Sequence, residues 1–285
     1  MKLFVAILLW WLPLLAQGPS FFIQLSDPQL GMFAKNENML QDEANFRFVT
    51  ASINRLKPAF VVVTGDLVNK PGDGTQIQRY LEIVRSIDPG IPVYNVAGNH
   101  DVESEPTPAS LAVYRKSIGK DYYAFDAGVV RGIVLNSSLI QHPNNSPDEA
   151  AKQESWLVDQ LKRARAEKVE NVMVFQHISY FLDDPNEPDQ YFNIPTATRK
   201  KYLDLFHEYG VKHVFAGHYH RNALGHDGDL EMVTTGPVGL PLGKDQSGIR
   251  VVRLNGGTVE HHYFELGSIP NAISPAATLP VFPAH

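Results

Sequence analysis

The stretch FVVVTGDLVN, Phe60 to Asn69, decides the fold. Its first four residues are apolar and three of them are β-branched; Thr64 and Gly65 end the run, and Asp66 follows directly. A short apolar run bounded by a glycine fits a strand buried on both faces. The same arrangement recurs along the chain. Phe21–Leu25 runs through Ser26 into Asp27 and Gln29. Val93–Gly98 runs into Asn99, His100 and Asp101. Val172–Gln176 runs into His177, and Val214–Gly217 runs into His218 and His220. Between these strands the spacing predicts helices: Glu37–Leu56, with Ala44, Phe48, Ala51 and Leu56 on one face; Thr75–Ile87, with Ile77, Leu81 and Val84; Glu149–Ala166, with Trp156, Leu157 and Leu161 inward; and Thr196–Tyr209, closed by Gly210. Strands alternating with helices predict an α/β protein with mostly parallel central strands. Tyr122–Phe125 and Gly132–Leu135 read as neighbouring strands. Met232–Thr235, Ile249–Leu254 and Val259–Phe264 follow without helices and are expected to be antiparallel, so a second sheet packs on the first. Neither an internal repeat nor an interior linker is visible.

The chain has 285 residues, enough for one large domain, and its 44% apolar and 20% charged content is that of a globule. Asp plus Glu exceed Lys plus Arg by 31 to 25, a net charge of −6, which argues against nucleic-acid binding by charge. There is no cysteine, which excludes disulfides, thiolate metal sites and cysteine nucleophiles. Lys2, the apolar run Leu3–Leu15 and Ala16 have the pattern of a secretory signal peptide over residues 1–16, placing the mature protein outside the cell or in the periplasm. That run is too short to span a bilayer, which takes about 20 residues as a helix, and no later run is long enough either. The folded domain is expected over 17–266, with a loose Pro/Ala-rich tail over 267–285.

The polar residues just past the strands carry the chemistry. In α/β sheets ligands bind beyond the carboxyl ends of the strands, so five such ends converge on one crevice. Each residue alone has a plainer reading: Asp27 as a turn former before Pro28, Asp66 as a cap, His177 as a hydrogen-bonded structural histidine. His218 and His220 lie two apart, and in an extended segment both rings point the same way. Together, Asp27, Gln29, Asp66, Asn99, His177, His218 and His220 make a metal site for hard or borderline ions.

In this order, Asp27-x-Gln29, Gly65-Asp66-x-x-Asn69, Gly98-Asn99-His100-Asp101, His177 and Gly217-His218-x-His220 resemble the calcineurin-like metallophosphoesterase signature, over about Phe21 to Phe264. The segments SDPQLGMF, GDLVNK, YNVAGNHD, LNSSL, DQYFNIP and GHYHRN are similar to one branch, the calcineurin-like phosphoesterase domain-containing protein 1 group, described as serine/threonine phosphatases. The resemblance implies a four-layer α/β/β/α sandwich and two divalent metal ions, with Mn, Fe or Zn expected. It implies that Asp66 bridges the ions, that Asp27 and His220 complete the first site, and that Asn99, His177 and His218 complete the second. It further implies a metal-bridging hydroxide as nucleophile, no phosphoenzyme, and His100 as general acid. Two divalent ions, two carboxylates and a hydroxide leave one net positive charge to attract phosphate.

Three positions depart from the family pattern. Gln29 stands where much of the superfamily has His; its amide either ligates the first ion or hydrogen-bonds a metal-bound water. Asn69 stands where phosphoprotein phosphatases carry the Asp that holds the catalytic imidazole, which leaves Asp101 either to supply that charge or to act as a cap. Lys70 stands where those enzymes have a phosphate-gripping Arg. Substrate contacts are expected from Asn99, Lys70 and Arg221, the last two having the alternative of plain surface charges. The loop Asp183–Pro195, with Tyr191, Phe192 and Asn193, is expected to border the site. The remaining histidines read as structural or exposed. The expected substrate is a phosphomonoester, in a phosphoprotein or a small molecule. The alternatives are a phosphodiesterase acting on nucleotides or phospholipid head groups, and a silent binding protein. The oligomeric state is left open.

Overall fold

The computed structural model describes residues 18–275. The expected leader lies outside them, as does the tail beyond Pro275. Among the described residues, no helix is long and apolar enough to cross a membrane. The chain runs through β1 (Ser20–Leu25), α1 (Leu40–Leu56), β2 (Val61–Val63), α2 (Gly74–Val84) and β3 (Val93–Asn95). Two helices follow, α3 (Asn99–Val102) and α4 (Pro108–Ser117), then the hairpin β4 (Tyr123–Ala127) and β5 (Val130–Val134). Next come α5 (Ser137–Gln141), α6 (Pro147–Ala166), β6 (Asn171–Phe175), α7 (Thr196–Tyr209) and β7 (His213–Ala216). The last strands are β8 (Ala223–Asp227), β9 (Leu230–Thr234), β10 (Gly248–Asn255) and β11 (Thr258–Glu265).

These strands form two sheets, ordered β11-β10-β1-β2-β3 and β4-β5-β6-β7-β9-β8. The inner strands are parallel: Ile23 pairs with Val61 and Val61 with Val93 in the first sheet, and Val174 pairs with Val214 in the second. The alternation of side chains along a strand sorts the core into three parts. Phe22 and Val62 point between the sheets, where they meet Phe60, Phe175, Phe215, Val233 and Val252. Phe21, Ile23, Val61 and Val63 point the other way, onto Phe46, Val49 and Ile53 of α1 and Tyr80 and Ile83 of α2. On the second sheet, Val174, Val214 and Met232 pack under Leu157 and Leu161 of α6 and Tyr202, Leu203 and Phe206 of α7. The result is the expected four-layer α/β/β/α sandwich. Phe22 stacks on Phe60 with centroids 4.6 Å apart, and truncating either ring would cost about 3–5 kcal/mol.

The structure corrects several sequence expectations. Helix α1 starts at Leu40, where the Asn38 side chain accepts the Leu40 N–H at 3.1 Å. Its buried face is Phe46, Val49, Ile53 and Leu56, whereas Phe48 is 48% exposed. Two apolar stripes in this helix both satisfy the helical period, and the bulkier one faces the sheet. In α2 the buried positions are Gln76, Tyr80 and Ile83, while the expected Leu81 and Val84 are partly buried against the same core. Strand β9 is parallel to β7 and antiparallel only to β8, a strand whose sequence, ALGHD, lacks any β-branched residue. Helix α4 is an element beyond those expected from apolar spacing; Thr107 as N-cap and Pro108 after it are its start signal. The first part of the expected loose tail is docked. Ile269 and Ile273 pack on the first core, and the carbonyls of Pro270 and Pro275 accept from Arg55 and Arg253.

Candidate metal centre

The loops after β1, β2 and β3 in one sheet and after β6 and β7 in the other meet at the carboxyl ends of the strands. Small residues permit this approach. A Cβ on Gly65, whose φ is +89°, would lie 2.5 Å from His177 Nδ1, and one on Gly217 would lie 1.7 Å from the Ser26 hydroxyl. The backbone bends sharply at the polar residues themselves. Asp27 (φ 48°), Gln29 (37°), Asp66 (48°), His218 (66°) and His220 (55°) all occupy the left-handed region. They are five of the ten described non-glycine residues with positive φ. Such conformations cost about 1–3 kcal/mol each and persist where the surroundings impose them.

This bending corrects the expectation of an extended His218–His220 segment. The two rings serve different groups. Asp66, His177 and His218 bring ligand atoms within 4.8 Å of one another, and so do Asp27, Asp66 and His220. All are buried, and Asp66 is common to both groups. Asn99 joins the first group, its Oδ1 lying 3.0 Å from His177 Nε2.

Main-chain carbonyls orient the rings. His177 Nδ1 lies 2.8 Å from the Thr64 carbonyl, leaving Nε2 toward Asp66 Oδ2 at 3.3 Å. His220 Nδ1 lies 2.6 Å from the Leu240 carbonyl, leaving Nε2 toward Asp27 Oδ1 at 3.4 Å. His218 is turned round: its Nε2 lies 3.2 Å from the Tyr191 carbonyl, so Nδ1 is its free nitrogen. A carbonyl can only accept, so each contact places the proton on one nitrogen and leaves the other as a donor for a metal. These partners were invisible in the sequence, because every residue carries a carbonyl.

The carboxylates are held likewise. Asp27 Oδ2 accepts from the Ser26 hydroxyl and from the His218 N–H, the latter at 3.1 Å, and Asp66 Oδ1 accepts the His100 N–H at 2.8 Å. Burial pushes the Asp66 carboxyl up, but the charges of His177, His100 and His218 outweigh it and hold it below the usual range. Burial pushes His177 down, yet Asp66 and Asp27 raise it to about 9. His218 falls to about 4, by burial and by the charge of His177. Asp27 Oδ1 and Gln29 Oε1 are buried with no hydrogen-bond partner. Two buried oxygens without donors, beside three imidazoles that each turn one ring nitrogen toward the carboxylates, fit a set of ligands for divalent cations, which would displace the second proton of His177.

The other candidates fall around this centre. His100 Nδ1 contacts the Asn69 carbonyl, and His100 lines a cleft of about 320 Å³ with Asn36, Asn69, Lys70, Asn99, Glu103 and Ser104. Asp101 does not hold that imidazole. It accepts main-chain N–H groups of Gly98 at 2.8 Å and Leu67 at 3.0 Å, tying the loop after β2 to α3. Burial, with Asp66 next, raises its carboxyl well above the usual range. Lys70 is exposed and pairs with Asp73 at 3.7 Å. The Arg221 guanidinium lies over the Tyr219 ring and donates to the Leu242 carbonyl. The Asp183–Pro195 loop reaches the centre through Tyr191, whose ring lies 4.8 Å from that of His218.

Comparison with known proteins agrees with this geometry. The calcineurin-like phosphoesterase profile matches residues 22–222. The chain is 36% identical over 273 residues to the serine/threonine-protein phosphatase CPPED1 of Bos taurus, covering 89% of this chain and 86% of the relative. To the protein of that name in Danio rerio it is 37% identical over 268 residues, covering 88% and 86%. Among solved structures, the purple acid phosphatase PPD1 of yellow lupin superimposes with a TM-score of 0.65 at 13% identity, over 88% of this chain and 52% of that one, a likeness of fold. The chain thus belongs to the calcineurin-like phosphoesterase family and is a metal-dependent phosphoesterase.

Proposed function

We propose that the protein hydrolyses phosphomonoesters, with phosphoserine or phosphothreonine in proteins as the substrate class, at a centre of two divalent ions. Asp27, Gln29, Asp66 and His220 would hold one ion, and Asp66, Asn99, His177 and His218 the other. The observation that carries this reading is the sharing of Asp66 between the two ligand groups. When bound, such ions offset the charge on a phosphate and lower the pKa of water. The residues around them do the rest. Asp66 and Asp27 are pinned by main-chain donors, so their free oxygens stay aimed into the centre. Nδ1 of His100 is committed to the Asn69 carbonyl, so Nε2 is the atom that delivers a proton to a departing alkoxide. The polar cleft beside it suits an alcohol leaving group carrying amide or hydroxyl functions. The substrate class rests on the name borne by the relatives.

The test loads the purified protein with Mn, Fe or Zn and compares p-nitrophenyl phosphate, bis-p-nitrophenyl phosphate and a phosphoserine peptide. Metal-dependent turnover of the two monoesters is expected. Preference for the diester would replace the proposal with a phosphodiesterase, and no metal uptake with no turnover would overturn it.

A further inference from the structure

Glutamine is a poor replacement for a histidine ligand unless its amide is oriented, because only its oxygen can coordinate. The surroundings of Gln29 supply that orientation, starting from the backbone. Gln76, on α2, is buried, and its Oε1 accepts the N–H groups of Asn69 at 3.1 Å and Lys70 at 2.8 Å. Backbone N–H groups can only donate, so the polarity of the Gln76 amide is settled there. Its Nε2 must point away, and it donates to Asn36 Oδ1 at 2.8 Å. Asn36 Oδ1 also accepts from Asn69 Nδ2 at 2.9 Å. The Asn69 amide is thereby settled in turn, and its Oδ1 accepts Gln29 Nε2 at 3.3 Å. Gln29 Oε1 is then turned away from Asn69 and is buried without a partner.

We infer that Gln76, Asn36 and Asn69 form a polarity relay that orients the Gln29 amide with its oxygen toward the first metal ion. Each link forbids the flipped amide in the next, because a flip would set donor against donor or acceptor against acceptor. The path is also built sterically. Gly31 (φ +106°) lies beneath it, and a Cβ there would come 2.5 Å from Gln76 Nε2 and 2.9 Å from Asn36 Oδ1. Asn36 itself sits at φ 70°, a left-handed position that asparagine tolerates. Asn69 is a positioning residue, with its side chain on Gln29 and its carbonyl on His100.

The inference rests on the two-ion reading above, and the test separates the two. Metal affinity is measured by calorimetry on full-length wild type, Asn69→Ala, Gln29→Glu and the double variant, using Mn. Loss of a group that orients a metal ligand typically weakens metal binding by about 10–100-fold. Asn69→Ala should weaken one of the two ions by that factor and leave the other unchanged. In the Gln29→Glu background a carboxylate oxygen faces Asn69 Oδ1, acceptor against acceptor, so Asn69→Ala removes no donor–acceptor contact and should not weaken metal binding. Equal weakening in both backgrounds, or none in either, overturns the relay while the two-ion centre stands. Wild type that binds no metal overturns the centre itself, and the relay with it. Should Asn69→Ala not fold, Asn36→Gly, which keeps the left-handed backbone and cuts the relay, is read the same way.

Discussion

Nδ1 of His100 lies 2.6 Å from the main-chain carbonyl oxygen of Asn69. A carbonyl accepts and never donates, so this contact assigns the ring hydrogen and points Nε2 at the cleft. The backbone thus performs the orienting of His100, while the Asn69 side chain is committed to Gln29 and Asn36.

His100→Ala should keep its metals, because His100 lies outside both ligand groups. Turnover of a phosphoserine peptide should fall about 10²–10⁴-fold, the usual worth of general acid catalysis. p-Nitrophenyl phosphate should suffer less, since p-nitrophenolate leaves without a proton. Equal losses on both substrates, with chemistry rate-limiting, would reassign His100 to holding the phosphate.

Asp66→Asn should act differently, because Asp66 belongs to both groups. Metal content and turnover of every substrate should fall together. Chelation of the wild type should lower its melting temperature, and returning Mn should restore it. Metal at 100 times its dissociation constant stabilises by about 2.7 kcal/mol. An unchanged melting temperature in chelator, with metal loss verified, would contradict a centre coupled to folding.

The Asp183–Pro195 loop should open in acid. Burial raises the Glu187 carboxyl, but the Asn193 amide and three main-chain N–H groups outweigh this and hold it below its usual 4.5. A folded pKa below the unfolded one contributes stability that is present above pH 4.5 and lost as the pH falls through the lowered value. Glu187→Gln mimics the protonated form, and hydrogen exchange in this loop should be faster by roughly tenfold, as for about one lost hydrogen bond to a charged group. Exchange unchanged by the substitution at neutral pH would show that Glu187 does not hold the loop.

We propose that the protein is exported with cleavage near Ala16, from Lys2, the Leu3–Leu15 run and the small residue after it. N-terminal sequencing of exported protein should start at or near Gln17. Intact Met1 on protein recovered from the cytoplasm would refute this.

The sequence by itself determined the layers and the chemical inventory. Short apolar runs ending in Gly-Asp, Gly-Asn-His and Gly-His are local patterns, and both strand formation and ligand type are local properties. The tertiary structure decided how those residues are used. His218 and His220 separate into two groups because left-handed backbone at both positions breaks the strand alternation that sequence reading assumed. Asp101 serves main-chain donors in a neighbouring loop, a partner no side-chain motif can announce. The buried stripe of α1 was chosen by packing volume between two stripes of equal period. Thr64, whose carbonyl orients His177, is 113 residues away from it, and Gln76 reaches Gln29 only through two other amides. Hydrogen-bond polarity passes through space along such chains, so it became visible only when the strand ends were brought together.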